Sequence, residues 1–227
     1  MSDSLGLSVY NTGRDAFDIY YSNAVLNIAI KRHRPQVVIL DVRKNMFDGK
    51  WKDHLLDCNC FYNLSEPLAN QIDKVSSWQD KVKMMSNCYR FNKSLSWMSY
   101  AFLKGDKRSD GYIPYFETRS DLKHEVLTTN KTFSIPDDYK LEFEDFVRTC
   151  KNENIKLFVF NSPSLVEVQD GFVSEIRNFC NRFNVPFYDY ESRSEFNEHP
   201  ELFVDVVHLN KDGAEKFTRI VLELIKR

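Results

Sequence analysis

No stretch of this sequence approaches the roughly 18 consecutive apolar residues that a membrane-crossing helix needs. No membrane span is therefore expected. Met1 to Leu7 has neither a basic start nor an apolar stretch, so it does not read as a secretory signal. An excess of one charge is also missing. Lys and Arg number 31 against 33 Asp and Glu, for a net charge of −2. Without a basic stripe, nucleic acid is not an expected partner. The short basic run Lys31, Arg32, His33, Arg34 falls at a predicted helix C-terminus, where cations complement the helix dipole. No internal repeat or low-complexity tract is present. Cysteine is sparse, and its count of five is odd, which excludes a fully paired intramolecular framework. Cys58 and Cys60 are separated by one residue, which is not a zinc-knuckle spacing. Cys150 and Cys180 fall on apolar faces of predicted helices, as buried free thiols do. Neither a metal nor an organic cofactor is expected.

What is present describes a soluble globular chain. Apolar residues make up 42% and charged residues 28% of its 227 positions, enough to build one large core. The expected organisation is a single domain over residues 1–227. Aromatics reach 14%, with 18 Phe and 11 Tyr. That excess reads either as a Phe-heavy core or as a carbohydrate-facing surface.

The pattern along the chain alternates strands and helices. Leu7 to Asn11 is a short strand candidate running into the turn Thr12-Gly13-Arg14-Asp15, where Asp15 can cap the next helix. Ala16 to Lys31 has an apolar face at Ile19, Ala24, Val25, Ile28 and Ala29. Gln36 to Val42 (QVVILDV) is a β-branched run, the signature of a strand buried on both faces. Residues 43–135 break the rhythm and read as a mostly helical insertion, with helical stretches near 68–87 and 92–103 and a turn-rich tail around Gly105, Gly111 and Pro114. The insertion either shapes a substrate cleft or forms a structural layer. Alternation resumes with a helix from Tyr139 to Asn152 that Asp137 and Asp138 can cap, a strand from Lys156 to Asn161 and a helix from Gly171 to Asn184. A short strand, Val185 to Tyr188, and a terminal helix from near Asn210 complete it. This implies an α/β fold, a three-layer α/β/α sandwich with a parallel sheet. Ligands of such sheets bind at the carboxyl ends of the strands, here after Val9, Val42, Phe160 and Tyr188.

One constellation carries chemistry. Asp205-Val206-Val207-His208 leads straight into the terminal helix. An Asp three residues before a His can fold its carboxylate onto the imidazole Nδ1–H. That holds one tautomer and leaves Nε2 as a general base. The same spacing recurs at Asp121-Leu122-Lys123-His124, but in a polar stretch with no strand before it. Only the first pair follows a strand and precedes Leu209-Asn210-x-x-Gly213-Ala214.

The stretch from Pro186-Phe187-Tyr188-Asp189 through Asp205-x-x-His208-Leu209-Asn210-x-x-Gly213-Ala214 resembles the closing block of the SGNH (GDSL-like) hydrolases. A weaker likeness covers most of the chain outside the insertion. The resemblance implies a flavodoxin-like sandwich and a Ser-His-Asp esterase in which His208 and Asp205 are catalytic. It also implies that the Gly13 N–H helps form an oxyanion hole, since Asn11-Thr12-Gly13 looks like the family's second block. Asn45, in Asp41-Val42-Arg43-Lys44-Asn45, stands where the family has the Asn of a G-x-N-D loop, although the Gly and Asp of that motif are missing. Asn45 is either the second oxyanion donor or an ordinary loop residue. The implied substrate is a small-molecule or carbohydrate ester, and an acylated carbohydrate fits best.

The nucleophile is not legible. Asp3-Ser4-Leu5 imitates the family motif by letters, but only three residues precede Ser4. No strand can hold its hydroxyl, and a crossover of about a dozen residues does not fit before Gly13. Either a longer natural protein carries the serine, or the chain is a non-catalytic module that binds glycans or a protein. A longer N-terminus could also carry an envelope or secretion signal, so localisation is not legible. Three smaller features stay open. Arg14 and Asp15 line the cleft or cap a helix. Arg43 and Lys44 bind an acidic sugar or phosphate, or form a solvated loop. Gly111-Tyr112-Ile113-Pro114 faces substrate or is a plain turn.

Overall fold

The structure, a computed structural model, describes residues 6, 8–92 and 111–226. Ser4, Gly105 and most of the stretch expected to be helical near 92–103 lie outside them. The chain is a mixed α/β protein with parallel sheets. Among the described residues its main sheet has three strands: β1 (Val37–Asp41), β3 (Lys156–Asn161) and β5 (Phe187–Asp189), in the order β1-β3-β5. All pair in parallel, with Val38 opposite Leu157 and Leu40 opposite Val159. Two further strands, β2 (Glu125–Thr128) and β4 (Val166–Gln169), form a separate parallel pair.

Alternation along β3 assigns its two faces. Leu157 and Val159 enter the large core, with α1 (Ile19–His33), α4 (Asp137–Asn152) and α5 (Phe172–Arg182). Phe160 turns the other way and meets Phe217 of the terminal helix α7 (Lys211–Ile225), ring edge to ring face at 6.1 Å. Helices thus cover both faces of the central strand. At β1 the second face is different: Ile39 is 38% exposed there. The run at 36–42 therefore predicts more burial than β1 attains: on this face Phe217 of α7 meets Phe160 of β3, while Ile39 of β1 stays partly open.

Polar contacts join elements far apart in sequence. Asp18, not Asp15, caps α1, with its side chain accepting from Tyr20 N. Its other oxygen accepts from Tyr139 Oη of α4 at 3.1 Å. Asn23 Nδ2 donates to Glu142 O and Oε2, both at 2.8 Å. Such buried polar contacts help define one seating of α1 on α4.

Three expectations are corrected. Residues 8–11 form no strand, so the main sheet opens with β1. In the insertion, α2 (Glu66–Val75), α3 (Trp78–Met84) and a 3-10 stretch (Lys52–Phe61) are helical as expected. Residues 112–135 run irregularly, in keeping with a turn-rich tail, but they also supply the strand β2, which a mostly helical insertion does not predict. Asp137 and Asp138 lie within the first turn of α4 and Pro136 occupies the cap. The anions still sit where the helix dipole favours them.

Candidate active site at the carboxyl ends of the parallel strands

The loop between β5 and α7, which holds the short helix α6 (Ser194–Asn197), is closed at its base. Phe203 and Leu209 form an isolated antiparallel bridge, and Val204 N donates to His208 O at 2.9 Å. Asn210 then caps α7 by accepting from Gly213 N at 3.0 Å, while its Nδ2 donates to Glu201 O at 2.7 Å. Gly213 is required by close approach. A Cβ there would stand 2.3 Å from Leu202 O. The pattern Asn210-x-x-Gly213 thus has a mechanical meaning: it fixes where the loop hands over to the helix.

Inside this clamp Asp205 and His208 meet. Asp205 Oδ1 accepts from the backbone N–H groups of Val207 and His208, each at 2.8 Å. His208 Nδ1 lies 2.8 Å from Oδ2 and 3.0 Å from Oδ1. Burial alone would raise the Asp205 pKa. The two N–H donors and the imidazole outweigh it and hold the carboxyl below its ordinary value. An ionised carboxylate only accepts, so the neutral ring carries its proton on Nδ1 and Nε2 is left as the acceptor. Both side chains are about half exposed.

The back of the loop is tied to the strand ends. Val206 O accepts from Leu165 N at 2.8 Å and from Ser164 Oγ at 3.1 Å. Arg43, two residues past β1, donates through one terminal nitrogen to Ser162 Oγ at 2.8 Å, Pro163 O at 3.0 Å and Val207 O at 3.3 Å. Ser162 follows β3 and donates its hydroxyl to Asp41 Oδ2 at 2.7 Å. Asn161 Nδ2 donates to Asp189 Oδ1 at 3.0 Å. Glu191 lies in the same polar cluster. Burial pushes its pKa up to about 7; Asp189 and Glu167 add to the rise, while Arg43 and Asn161 oppose it. A strongly shifted carboxyl at the strand ends is a common feature of functional sites. The sequence signal for this cluster was only positional: its members follow the predicted strand ends.

The remaining candidates are placed as follows. The Gly13 N–H donates to Asn11 Oδ1 at 2.9 Å, within its own exposed turn. That turn is joined to α1 through Tyr21 Oη and Thr12 O, 3.3 Å apart. No bond among the described residues links Gly13 to the His208 loop. Asn45 sits in a 3-10 turn (Lys44–Met46) after β1, and its Oδ1 is buried without a hydrogen-bond partner. Arg43 and Lys44 do not form a solvated loop. Arg43 is spent on the contacts above, and Lys44 pairs with the buried Asp170 and lies 5.6 Å from the Phe133 ring centre. Arg14 stacks over Phe17 at 4.9 Å, and Asp15 is exposed.

The second Asp-x-x-His copy is not a pair. Arg119 takes both Asp121 oxygens at 2.8 Å and pulls that carboxyl down to about 2. His124 instead donates from Nε2 to the Asn197 amide oxygen at 3.0 Å, in the amide orientation that also satisfies Ser164 O and Glu191 O. Comparison of the chain with protein-family models, curated proteins and solved structures finds no match.

Proposed function

We propose that the chain carries the acid–base part of an SGNH (GDSL-like) serine esterase, on a flavodoxin-like three-layer sandwich, acting on an acylated carbohydrate. The observation that carries this reading is the Asp205–His208 pair, with Nδ1 2.8 Å from a carboxylate at the carboxyl ends of parallel strands. In the reaction, Nε2 of His208 takes the proton of a serine hydroxyl as the oxygen attacks the ester carbonyl. The imidazolium then gives that proton to the leaving alkoxide, and the ester of the serine is hydrolysed by water in the reverse sense. Asp205 orients the ring and stabilises its cation. Gly13 and Asn45 are the proposed oxyanion donors. That role requires the Gly13 N–H to leave Asn11 Oδ1, since a donor engaged elsewhere does not stabilise a developing charge.

Among the described residues no serine hydroxyl is bonded to His208. Ser162 Oγ is held by Asp41 and Arg43, and Ser164 Oγ by Val206 O. This favours a second reading, a non-catalytic glycan- or protein-binding module on the same fold. Hydrolysis of a fluorogenic acetyl ester tests both. The 227-residue chain is expected to turn over little or none. The chain joined to whatever its gene encodes upstream of the Met1 codon is expected to be active. His208→Ala is expected to lower that activity at least about 10³-fold. Inertness of both forms removes the esterase reading. Robust turnover by the short chain that Ser4→Ala abolishes makes Ser4 the nucleophile after all.

A further inference from the structure

The segment from Gly111 to Arg119 has no sheet of its own, yet it is pinned at both ends. At its start, Gly111 has φ +78°, and a Cβ there would lie 1.9 Å from Asn11 O. At its end, Arg119 N donates to Phe203 O at 3.3 Å. Between them, Lys211 N donates to Tyr115 O at 2.7 Å and Asn210 Nδ2 to Thr118 Oγ1 at 3.5 Å. Asn210 and Lys211 follow His208 by two and three residues. The segment therefore runs along the edge of the loop that carries the imidazole.

Its side chains are the unusual part. Phe116 is 74% exposed, and Tyr10, beside Gly111, is 70% exposed; Tyr112 and Tyr115 are partly exposed too. Single exposed apolar residues need no explanation, but a group of rings on an anchored backbone does. Two of the rings have partners on α7. Phe116 lies 6.0 Å from Lys211 Nζ, and Tyr112 has its pKa raised by burial and by Glu215. Lys211 and Glu215 are themselves paired across one helical turn, 3.6 Å apart. The two rings thus lie along a rim of mixed charge.

We propose that Tyr112 and Phe116 form a stacking platform for a neutral oligosaccharide whose acyl group reaches His208. A pyranose offers a flat face of C–H bonds, which suits the negative face of an aromatic ring, and a rim of hydroxyls that needs donors and acceptors at its edge. Lys211, Glu215 and Thr118 supply that edge. The mixed charge does not suit an anionic bilayer or a highly charged polymer, which call for one sign. Continuity with the His208 loop supplies the link to ester chemistry. The proposal rests on the carbohydrate part of the reading above.

The test measures binding without turnover. The chain is titrated with xylotetraose, cellotetraose, chitotetraose and partly acetylated xylotetraose by calorimetry, with tyrosine-ring NMR shifts as a second readout. Saturable binding of at least one of them is expected, weakened about tenfold or more by Phe116→Ala and by Tyr112→Ala and restored by Phe116→Trp. Both positions are exposed enough for the variants to fold, which circular dichroism checks. Absence of binding up to about 10 mM, far above useful affinities, overturns the platform. So does binding that Phe116→Ala leaves unchanged. Sugar binding with no ester hydrolysis by either the 227-residue chain or the form extended upstream of Met1 keeps the platform and loses the esterase. Ester hydrolysis with no binding of these sugars does the reverse.

Discussion

Replacing Asp205 with Asn separates the two jobs of that side chain. The shape is kept, and one oxygen remains to accept from Val207 N and His208 N, now at 2.8 Å. The group facing His208 Nδ1 becomes an NH2, which only donates. Nδ1 must then accept, and the ring proton moves to Nε2. The loop survives while the general base is removed. Exchanging a charged acceptor for a neutral one costs about 0.5–1 kcal/mol per bond, and the half-exposed setting screens part of it. A total near 1 kcal/mol corresponds to a fall in Tm of about 2–4 °C for a chain of this size. The chemical effect is far larger, about 10³–10⁴-fold in kcat where a Ser-His-Asp site operates. Nitrogen-15 NMR of the neutral imidazole reads the protonated nitrogen directly. The expected pattern is Nδ1–H in the native chain and Nε2–H in Asp205→Asn. A native chain with Nε2–H, or a variant that keeps Nδ1–H, refutes the account of this pair. Asp205→Ala is the companion. It orphans both N–H groups and is expected to cost about 1–2 kcal/mol.

Two further perturbations test the surroundings of the loop. Glu191 has its folded pKa raised to about 7 by burial, above the ordinary value of about 4.3. The folded state therefore holds the proton more tightly, and stability falls as pH rises from about 4.3 through about 7. Glu191→Gln removes this loss, so it is expected to melt higher than the native chain at pH 8, by an amount on the order of 2 kcal/mol, with little gain at pH 4. An equal difference at both pH values refutes the placement of Glu191. Gly213→Ala forces a Cβ to within 2.3 Å of Leu202 O. A cost of about 1–3 kcal/mol is expected from overpacking, read as a lowered denaturant midpoint, and an unshifted midpoint refutes the close approach.

What the sequence determined by itself was local. The run Lys156 to Asn161 forms a strand over those same residues, because an apolar stretch between turn signals has no other way to bury itself beside its neighbours. Asp205 and His208 stand three residues apart, so a single tight turn brings them together. The terminal helix expected near Asn210 begins at Lys211, and the structure adds that Asn210 is its cap. Tertiary structure decided everything whose partner lies far along the chain. Arg43 ends at Val207, 164 residues away, and nothing near Arg43 in sequence names that destination. The pairing of β2 with β4 joins strands whose apolar side chains stay exposed at Val126 and Leu127, so no pattern of burial announced it. Residues 8–11 have the composition of a strand but no ladder to join, and a strand without a paired neighbour leaves its backbone groups to water. Propensity and short-range hydrogen bonds act over a few residues. Pairing, packing and charge contacts depend on which distant surfaces come together, and only the folded chain specifies that.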